Sequence, residues 1–424
     1  MRLWLAGGLA LMLMLGGCGN QTGAGAGSTA NTVVIGVLLP LTGAAATIGL
    51  AEKAAIQLAA DLINTPSTLN LPAVSGSGLP NLGGTQVSLI FGDTQGDAIV
   101  AASEAARLIN AGAVALIGCY HSAATKTAAQ IANGRGIPFL NPDSTAPDLT
   151  QQGYTTFFRT TPSDATFVNA FFSYMNFIGH PISPANNGLT IVYENGTFGT
   201  GINTLATSTA LTTYLTVASS VPYSATATSF TTQASQIALT MPRTLLQASY
   251  TSDAIGLIQA YKTANIVPKM IVGMDAGFTD PLFLNNLGVN AEKIVSRATW
   301  NLDLTHSNTL AASVNTLYKA NTGSDLDDAS ARAFTGAMTL LDAINRAGTS
   351  NASPVLAALS ATNLPASQLI MPWAGISFDI AGQNTLGSSI MIQVQNGTWK
   401  TVWPASVATA GTVYPFPAWT ANPR

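Results

Sequence analysis

With 424 residues, 47% of them apolar, the chain is long enough to bury two or three packed cores. Charged residues make up only 8%, against roughly 25% in ordinary soluble proteins. The net charge is −3 with no cluster of Lys or Arg, which argues against a nucleic-acid partner, because neutralising phosphates takes clustered cations; two cysteines are too few for a disulfide framework.

The chain opens "MRLWLAGGLALMLMLGGCGN". One arginine precedes an apolar run from Leu3 to Leu15 that is short for a membrane span and has the layout of a secretory signal. Its end, Leu15-Gly16-Gly17-Cys18, looks like a bacterial lipobox, so residues 1–17 are expected to be a lipoprotein signal peptide and Cys18 the lipidated first residue of the mature chain. Residues 18–31, rich in Gly, Ala, Ser and Thr, read as a flexible tether. No second hydrophobic stretch approaches spanning length, so the body is expected outside the cytoplasm, held to the cell surface through Cys18.

From Thr32 short β-branched or apolar runs alternate with longer amphipathic stretches. "VVIGVLL" reads as a strand, "GLAEKAAIQLAADLIN" as a helix, "TQVSLIFGD" as a strand and "DAIVAASEAARLINAG" as a helix. "AVALIG", "SAATKTAAQIANGRG" and "IPFLNP" continue the series as strand, helix and strand. After "FFRTTPSD" the alternation restarts with the helix "ATFVNAFFSYMNFIG" and the strand "LTIVYE", then a helix following Gly199 and the strand "LTVASSVPY". A helix from Phe230 to Leu239, "TLLQAS", the helix "DAIGLIQAYKTAN" and "KMIVG" complete it. Two long helical patterns and a short one then lead to "WAGISFD", "SSIMIQVQNG" and "TWKTVWP", which read as antiparallel strands with an Asn396-Gly397 turn. Strands alternating with helices imply parallel sheets covered on both faces, and the restart implies two α/β lobes.

In such sheets ligands bind beyond the carboxyl ends of strands, beside helix amino termini. Ser122 follows "ALIG", Asp143-Ser144-Thr145 follows "IPFLNP", Tyr250 follows "TLLQAS" and Asp275 follows "KMIVG". Each is a cap or turn residue if taken alone, and Ser122 reads first as a helix cap, with a donor to an anion at the helix N-terminus as the alternative. Their shared position makes the set a candidate site. Cys119, flanked by apolar residues, reads as core packing, and His121, His180 and His306 as structural.

"IGVLLPLTGAAATIG", "LIFGDTQGD", "ALIGCYHSAATKTAAQIA" with "GIPFLNPDSTAPDLTQQGYTTFFRTTPSD", then "IVYENGTFGTG" and "GMDAGFTDPLFLNNLG", resemble in order and spacing the periplasmic leucine/isoleucine/valine-binding protein family, over roughly Val33 to Trp403. The resemblance implies the type I periplasmic binding fold: two doubly wound parallel-sheet α/β lobes with a ligand cleft between them, joined by three crossovers. It places lobe 1 in residues 32–160 and 301–376, lobe 2 in 161–300 and 377–403, and an irregular tail in 404–424. It implies a non-enzymatic substrate-binding component of a branched-chain amino-acid ABC importer, monomeric, with a small-molecule ligand, permease subunits as its membrane partners and no cofactor or metal.

Carried over by position, Ser122 and Thr145 would bind a ligand's α-carboxylate, with Asp143 beside them contributing through its main chain. Asp275 would pair with the α-ammonium. Phe198 and Tyr250 would be aromatic walls, and Ile48 would lie near the ligand side chain. The family's small disulfide has no counterpart, since Cys119 lacks a companion near Asp93. Ile48 stands where the family often has an aromatic residue and Phe198 where it often has tyrosine, which leaves the ligand side chain open between branched-chain amino acids and amides, urea, or aromatic and short carboxylic acids. A sensing module acting through a partner is the other functional reading. An enzyme is disfavoured: there is no Gly-x-Ser-x-Gly elbow, no paired zinc-binding histidines and no Gly-Lys-Ser/Thr phosphate loop.

Overall fold

The computed structural model describes residues 32–179, 188–212 and 216–419; Cys18 and His180 lie outside them. The chain first runs β1 (Val33–Leu39), α1 (Ala46–Asn64), β2 (Val87–Asp93), α2 (Ala98–Asn110), β3 (Ala115–Gly118), α3 (Ser122–Gly134), β4 (Phe139–Asn141) and β5 (Phe157–Arg159). It continues through α4 (Asp164–Phe177), β6 (Leu189–Glu194), α5 (Thr197–Thr212), β7 (Val217–Tyr223), α6 (Thr231–Thr240), β8 (Thr244–Ala248), α7 (Thr251–Thr263), β9 (Met270–Gly273), α8 (Pro281–Leu287) and β10 (Val295–Ala298). The last stretch holds α9 (Thr309–Thr322), α10 (Asp328–Ala347), α11 (Ala352–Ser360), β11 (Asn363–Pro365), β12 (Gly375–Ser377), β13 (Ile390–Gln395) and β14 (Thr398–Trp403).

The strands form two main sheets. One is all-parallel with order β2-β1-β3-β4-β5; the other has order β14-β13-β10-β9-β8-β6-β7. In the second, β6 to β10 are parallel, and β13 and β14 add an antiparallel edge. β13 turns into β14 through Asn396 and Gly397, both at positive φ, as a two-residue hairpin requires. "WAGISFD" differs from its expected place: β12 pairs with β11 in a separate two-stranded ribbon instead of joining the terminal strands.

Both faces of each sheet are covered, which is why β3 and β9 are buried at every position. In lobe 1, Ile35 and Val37 of β1 pack with Ala59 and Ile63 of α1 and Phe334 and Leu341 of α10. Leu38 and Leu116 face the other way, onto Ala105 of α2 and Ala128 of α3, with Cys119 buried among them. In lobe 2, Phe167 and Phe171 of α4 and Ile202 of α5 cover Ile191, Val272 and Met391, while Ile258, Tyr261 and Phe283 cover Val192 and Leu245. The segment after β14 is irregular but packed: Phe416 and Trp419 are buried on lobe 2, and the Trp419 indole donates to the Ile266 carbonyl at 2.9 Å.

The chain passes between the sheets after β5, after β10 and before β13. The first and third passages lie side by side, the Asn384 side chain donating to the Thr160 carbonyl at 3.0 Å and the Asn384 N–H to Arg159 at 2.9 Å. At the second, Trp300 N–H donates to Asp328 at 2.6 Å, tying the strand exit to the start of α10. Among the described residues no helix is long and apolar enough to cross a membrane.

Candidate ligand-binding site

The carboxyl ends of β3, β4, β8 and β9 converge between the lobes. A cavity of about 20 Å³, room for roughly one water, lies there. Ser122, Asp143, Thr145, Phe198, Tyr250 and Asp275 all line it, together with Tyr120, Arg297 and Arg332. Ile48 does not: it is buried in the apolar cluster that holds Tyr120 and Phe198, one layer behind the wall.

Local sequence explains the lobe 1 side. β3 ends at Gly118, whose φ is +128° and where a Cβ would lie 2.0 Å from the Leu38 carbonyl oxygen, so only glycine lets the chain leave the strand here. α3 then starts at Ser122 with no side-chain cap. The first turn of α3, whose N–H groups have no partner within the helix, thus begins at the cavity that Ser122 and Tyr250 of lobe 2 both line. Ser122 Oγ accepts from Ala146 N–H at 3.4 Å, joining α3 to the Asp143–Thr145 loop. Ser144 is committed to structure, its hydroxyl bonding the Cys119 and Tyr120 carbonyls at 2.9 Å.

Lobe 2 supplies the roof. Tyr250 packs 5.8 Å from Tyr120, 4.5 Å from His121 and 5.5 Å from Phe198, between ring centroids, so the aromatic contact spans both lobes. Gly277 allows this placement: a Cβ there would sit 2.2 Å from the Tyr250 carbonyl carbon. On the far side of the roof is a vestibule of about 360 Å³, lined by His121, Glu194, Gln95 and Thr226 among others. Burial pushes the His121 pKa down to about 4.

The floor is a charge network. Asp275 Oδ2 lies 2.7 Å from both Arg297 Nη1 and Arg332 Nη1, and Oδ1 accepts from Thr279 at 2.6 Å. Arg332, on α10 of lobe 1, also reaches Asp143 at 2.6 Å and Asp328 at 3.3 Å. It therefore ties the two lobes together. Arg297 stacks on the Phe167 ring, 3.6 Å from its centroid, with Asp164 at 3.7 Å. Burial would raise the Asp275 pKa, but the two guanidinium groups outweigh it and hold the carboxyl below its usual range. Asp275 also takes φ +60° and ψ −130°, unfavourable for a residue with a side chain, and Ala276 follows at φ +46°.

A hydroxyl, a helix N-terminus and two guanidinium groups around an aromatic-walled space suit a small anion such as a carboxylate. The family model for periplasmic binding proteins matches residues 32–398. The chain belongs to the periplasmic binding protein family. Among its relatives, Leu/Ile/Val-binding protein homolog 7 of Brucella abortus is 24% identical over 404 residues, covering 91% of this chain and 94% of the relative. Homolog 8 of Brucella suis is 24% identical over 407 residues, 92% of this chain and 96% of that one. A leucine-binding protein of Thermotoga maritima superposes with TM-score 0.75 at 22% identity, covering 88% of this chain and 98% of its own. A solute-binding protein from R. palustris in complex with benzoate gives 0.74 at 17%, covering 92% and 98%. A Streptococcus pneumoniae substrate-binding protein in complex with isoleucine gives 0.71 at 19%, covering 91% and 100%. The fold is that of the type I periplasmic binding proteins.

The resemblance assigns Asp275 to a ligand ammonium, and in this periplasmic binding protein the carboxylate is instead engaged by Arg297, Arg332 and Thr279. Sequence reasoning missed both arginines. Arg297 lies in β10, which was not expected as a strand, and Arg332 lies in a helix where nearly every residue is buried. The only available signal was their rarity, two of 16 basic residues in the chain. Among the described residues, no group of three or more His, Cys, Asp or Glu is placed to hold a metal ion.

Proposed function

We propose that the protein is the extracytoplasmic substrate-binding lipoprotein of an ABC importer, closing its lobes on a small carboxylate and delivering it, as a monomer, to the permease. The observation that carries this is the meeting of the α3 N-terminus and Ser122 with the Asp143–Thr145 loop inside an inter-lobe cavity roofed by Tyr250. The ligand carboxylate sits at the start of α3 beside Ser122, and Tyr250 and Phe198 pack on its apolar body. Because the inner cavity holds about one water, the lobes part to admit the ligand.

A branched-chain or related amino acid is the first ligand class, in keeping with the relatives' names. An aromatic or short acid without an amine is the second, favoured by the engagement of Asp275 with two arginines. A thermal-shift screen on protein lacking residues 1–31 would compare isoleucine with 3-methylpentanoate, and phenylalanine with 3-phenylpropanoate and benzoate; a specific ligand raises the melting temperature by mass action. Stabilisation by either acid set supports the carboxylate reading, and stabilisation only by neutral sugars or cations overturns it. For the anchor, Cys18→Ser is expected to release the protein from membranes with binding intact. A variant that still pellets with membranes and needs detergent to free it contradicts the lipid anchor.

A further inference from the structure

The charge network is short of positive charge. Three buried guanidinium groups, Arg159, Arg297 and Arg332, face five buried carboxyl groups, Glu52, Asp143, Asp164, Asp275 and Asp328. Several carboxyl oxygens have no donor to meet. Neither oxygen of Glu52, nor Asp143 Oδ2, receives a hydrogen bond from any protein group, and the two carboxyls face each other across lobe 1. A proton on one, shared with the other, satisfies both. Asp164 has neither oxygen in a well-formed hydrogen bond, and Arg297 stands off at 3.7 Å. Asp328 Oδ1 accepts from Thr299 and Trp300, but its Oδ2 receives no hydrogen bond and has Arg332 only at 3.3 Å. Glu52, Asp164 and Asp328 do not line the inner cavity, so no ligand group reaches them. What completes them is hydrogen ion.

We propose that closing this cleft on a carboxylate is coupled to proton uptake: Glu52 holds a proton throughout, Asp164 and Asp328 gain theirs as the interface closes, and each proton gained makes the cavity more receptive to an anion. With Glu52 protonated and the other four carboxyls ionised, the network carries one surplus negative charge. With Asp164 and Asp328 also protonated it carries one surplus positive charge, the complement of a carboxylate. The part concerning the ligand rests on the carboxylate reading above.

The surroundings set the direction. Glu52 meets Asp143, Arg332 and Asp327 at the α10 cap, and burial and Asp143 raise it well above the ordinary range. Burial pushes Asp164 up to about 6 despite Arg297, Thr145 and Arg159, with Asp275 adding to the rise. Burial likewise pushes Asp328 up to about 7 against Arg332, again with Asp275 adding to the rise. Asp327 is raised by burial and by Asp280 and Asp143. Tyr120 and Tyr250 are raised by burial and keep their protons, and His121 stays neutral down to about pH 4. Outside the network, burial also pushes Asp253 up to about 6 and raises Glu194 and Asp280, so the variants at Glu52 and Asp328 are what single out the carboxyls of the network.

Calorimetry tests this with benzoate and isoleucine as probes, in two buffers of different ionisation enthalpy near neutral pH. The expected result is net proton uptake, with Kd about tenfold tighter near pH 5.5 than near pH 7.5, the change for roughly one proton bound over part of that range. Asp328→Asn should flatten the dependence. A probe that binds with no proton uptake, or with release, overturns the proposal. Infrared titration of the wild-type protein alone gives an arm that does not depend on the ligand: a carboxylic-acid carbonyl band should persist near pH 7 and be lost in Glu52→Gln. Failure of both probes to bind would count against the carboxylate reading, and the infrared titration would still decide the protonation. Absence of the band in the wild type overturns the proposal whether or not the variants fold.

Discussion

Arg332→Met is the most direct probe of the charge network. Methionine approximates the length of the arginine stem but carries no charge, so the substitution deletes contacts to Asp143 at 2.6 Å, Asp275 at 2.7 Å and Asp328 at 3.3 Å while largely filling the space. Asp275 keeps Arg297, whereas Asp143 and Asp328 are left in lobe 1 with no guanidinium in contact. Removing one partner of a buried ion pair costs about 3–5 kcal/mol, because the remaining charge stays out of water. The stranded carboxyls can neutralise themselves by binding protons. The variant's folded state then binds more protons than its unfolded chain, so its deficit should shrink as the pH falls from about 7 to about 5, by up to roughly 1.4 kcal/mol per pH unit for each proton newly bound. Urea denaturation of both proteins at the two pH values measures this, provided the slope m is unchanged. A loss below about 1 kcal/mol near neutral pH, or a deficit that grows in acid, would refute the reasoning.

The wild-type melting temperature should be higher near pH 5 than near pH 7.5. Asp164 and Asp253, pushed up to about 6, and Asp328, pushed up to about 7, all mainly by burial, bind protons in the folded state first, so their contribution grows as the pH falls and is complete near the unfolded value of about 4. His121 opposes them, its contribution being lost between about 6.5 and 4, but it is one group against three. A melting temperature that declines steadily below pH 7 contradicts this. Tyr250→Ala removes the ring that packs on Tyr120 and His121 across the lobes and should loosen the empty cleft by about 0.5–1.5 kcal/mol for each aromatic pair lost. Small-angle scattering of the ligand-free variant should show a larger radius of gyration, and an unchanged profile would dismiss Tyr250 as a latch.

Most of the scaffold was legible because its signals are local. Runs such as "ALIG" and "KMIVG" are apolar throughout, as buried parallel strands must be, and "NG" marks the terminal hairpin. β10 was not legible: "VSRA" places a serine and an arginine in a four-residue strand buried at every position. The pattern makes sense only once Asp275 and Phe167, distant in sequence, are seen to receive the guanidinium. β12 was legible as a strand but not in its partner, because β11 is three residues with a terminal proline and carries almost no strand signal. The site followed the same division. Positions at strand ends pointed to Ser122, Asp143, Thr145, Tyr250 and Asp275, and the family resemblance added Phe198; all six line one cavity. The state of Asp275 depends on a helix more than fifty residues further along the chain, and no spacing rule reaches that far.

The account stands on a ligand carboxylate held at the start of α3, and calorimetry of Ser122→Ala against the wild type measures that directly. The titrant is whichever of isoleucine, 3-methylpentanoate and benzoate the wild type binds with 1:1 stoichiometry. Losing one hydroxyl donor to a charged group costs about 1.5–3 kcal/mol, so affinity should fall roughly tenfold to 150-fold. The melting temperature of the empty variant should stay near that of the wild type, since Ser122 makes only a long contact, 3.4 Å, to Ala146. Equal affinity in the two proteins, or a wild type that binds none of the three acids, would contradict the central claim.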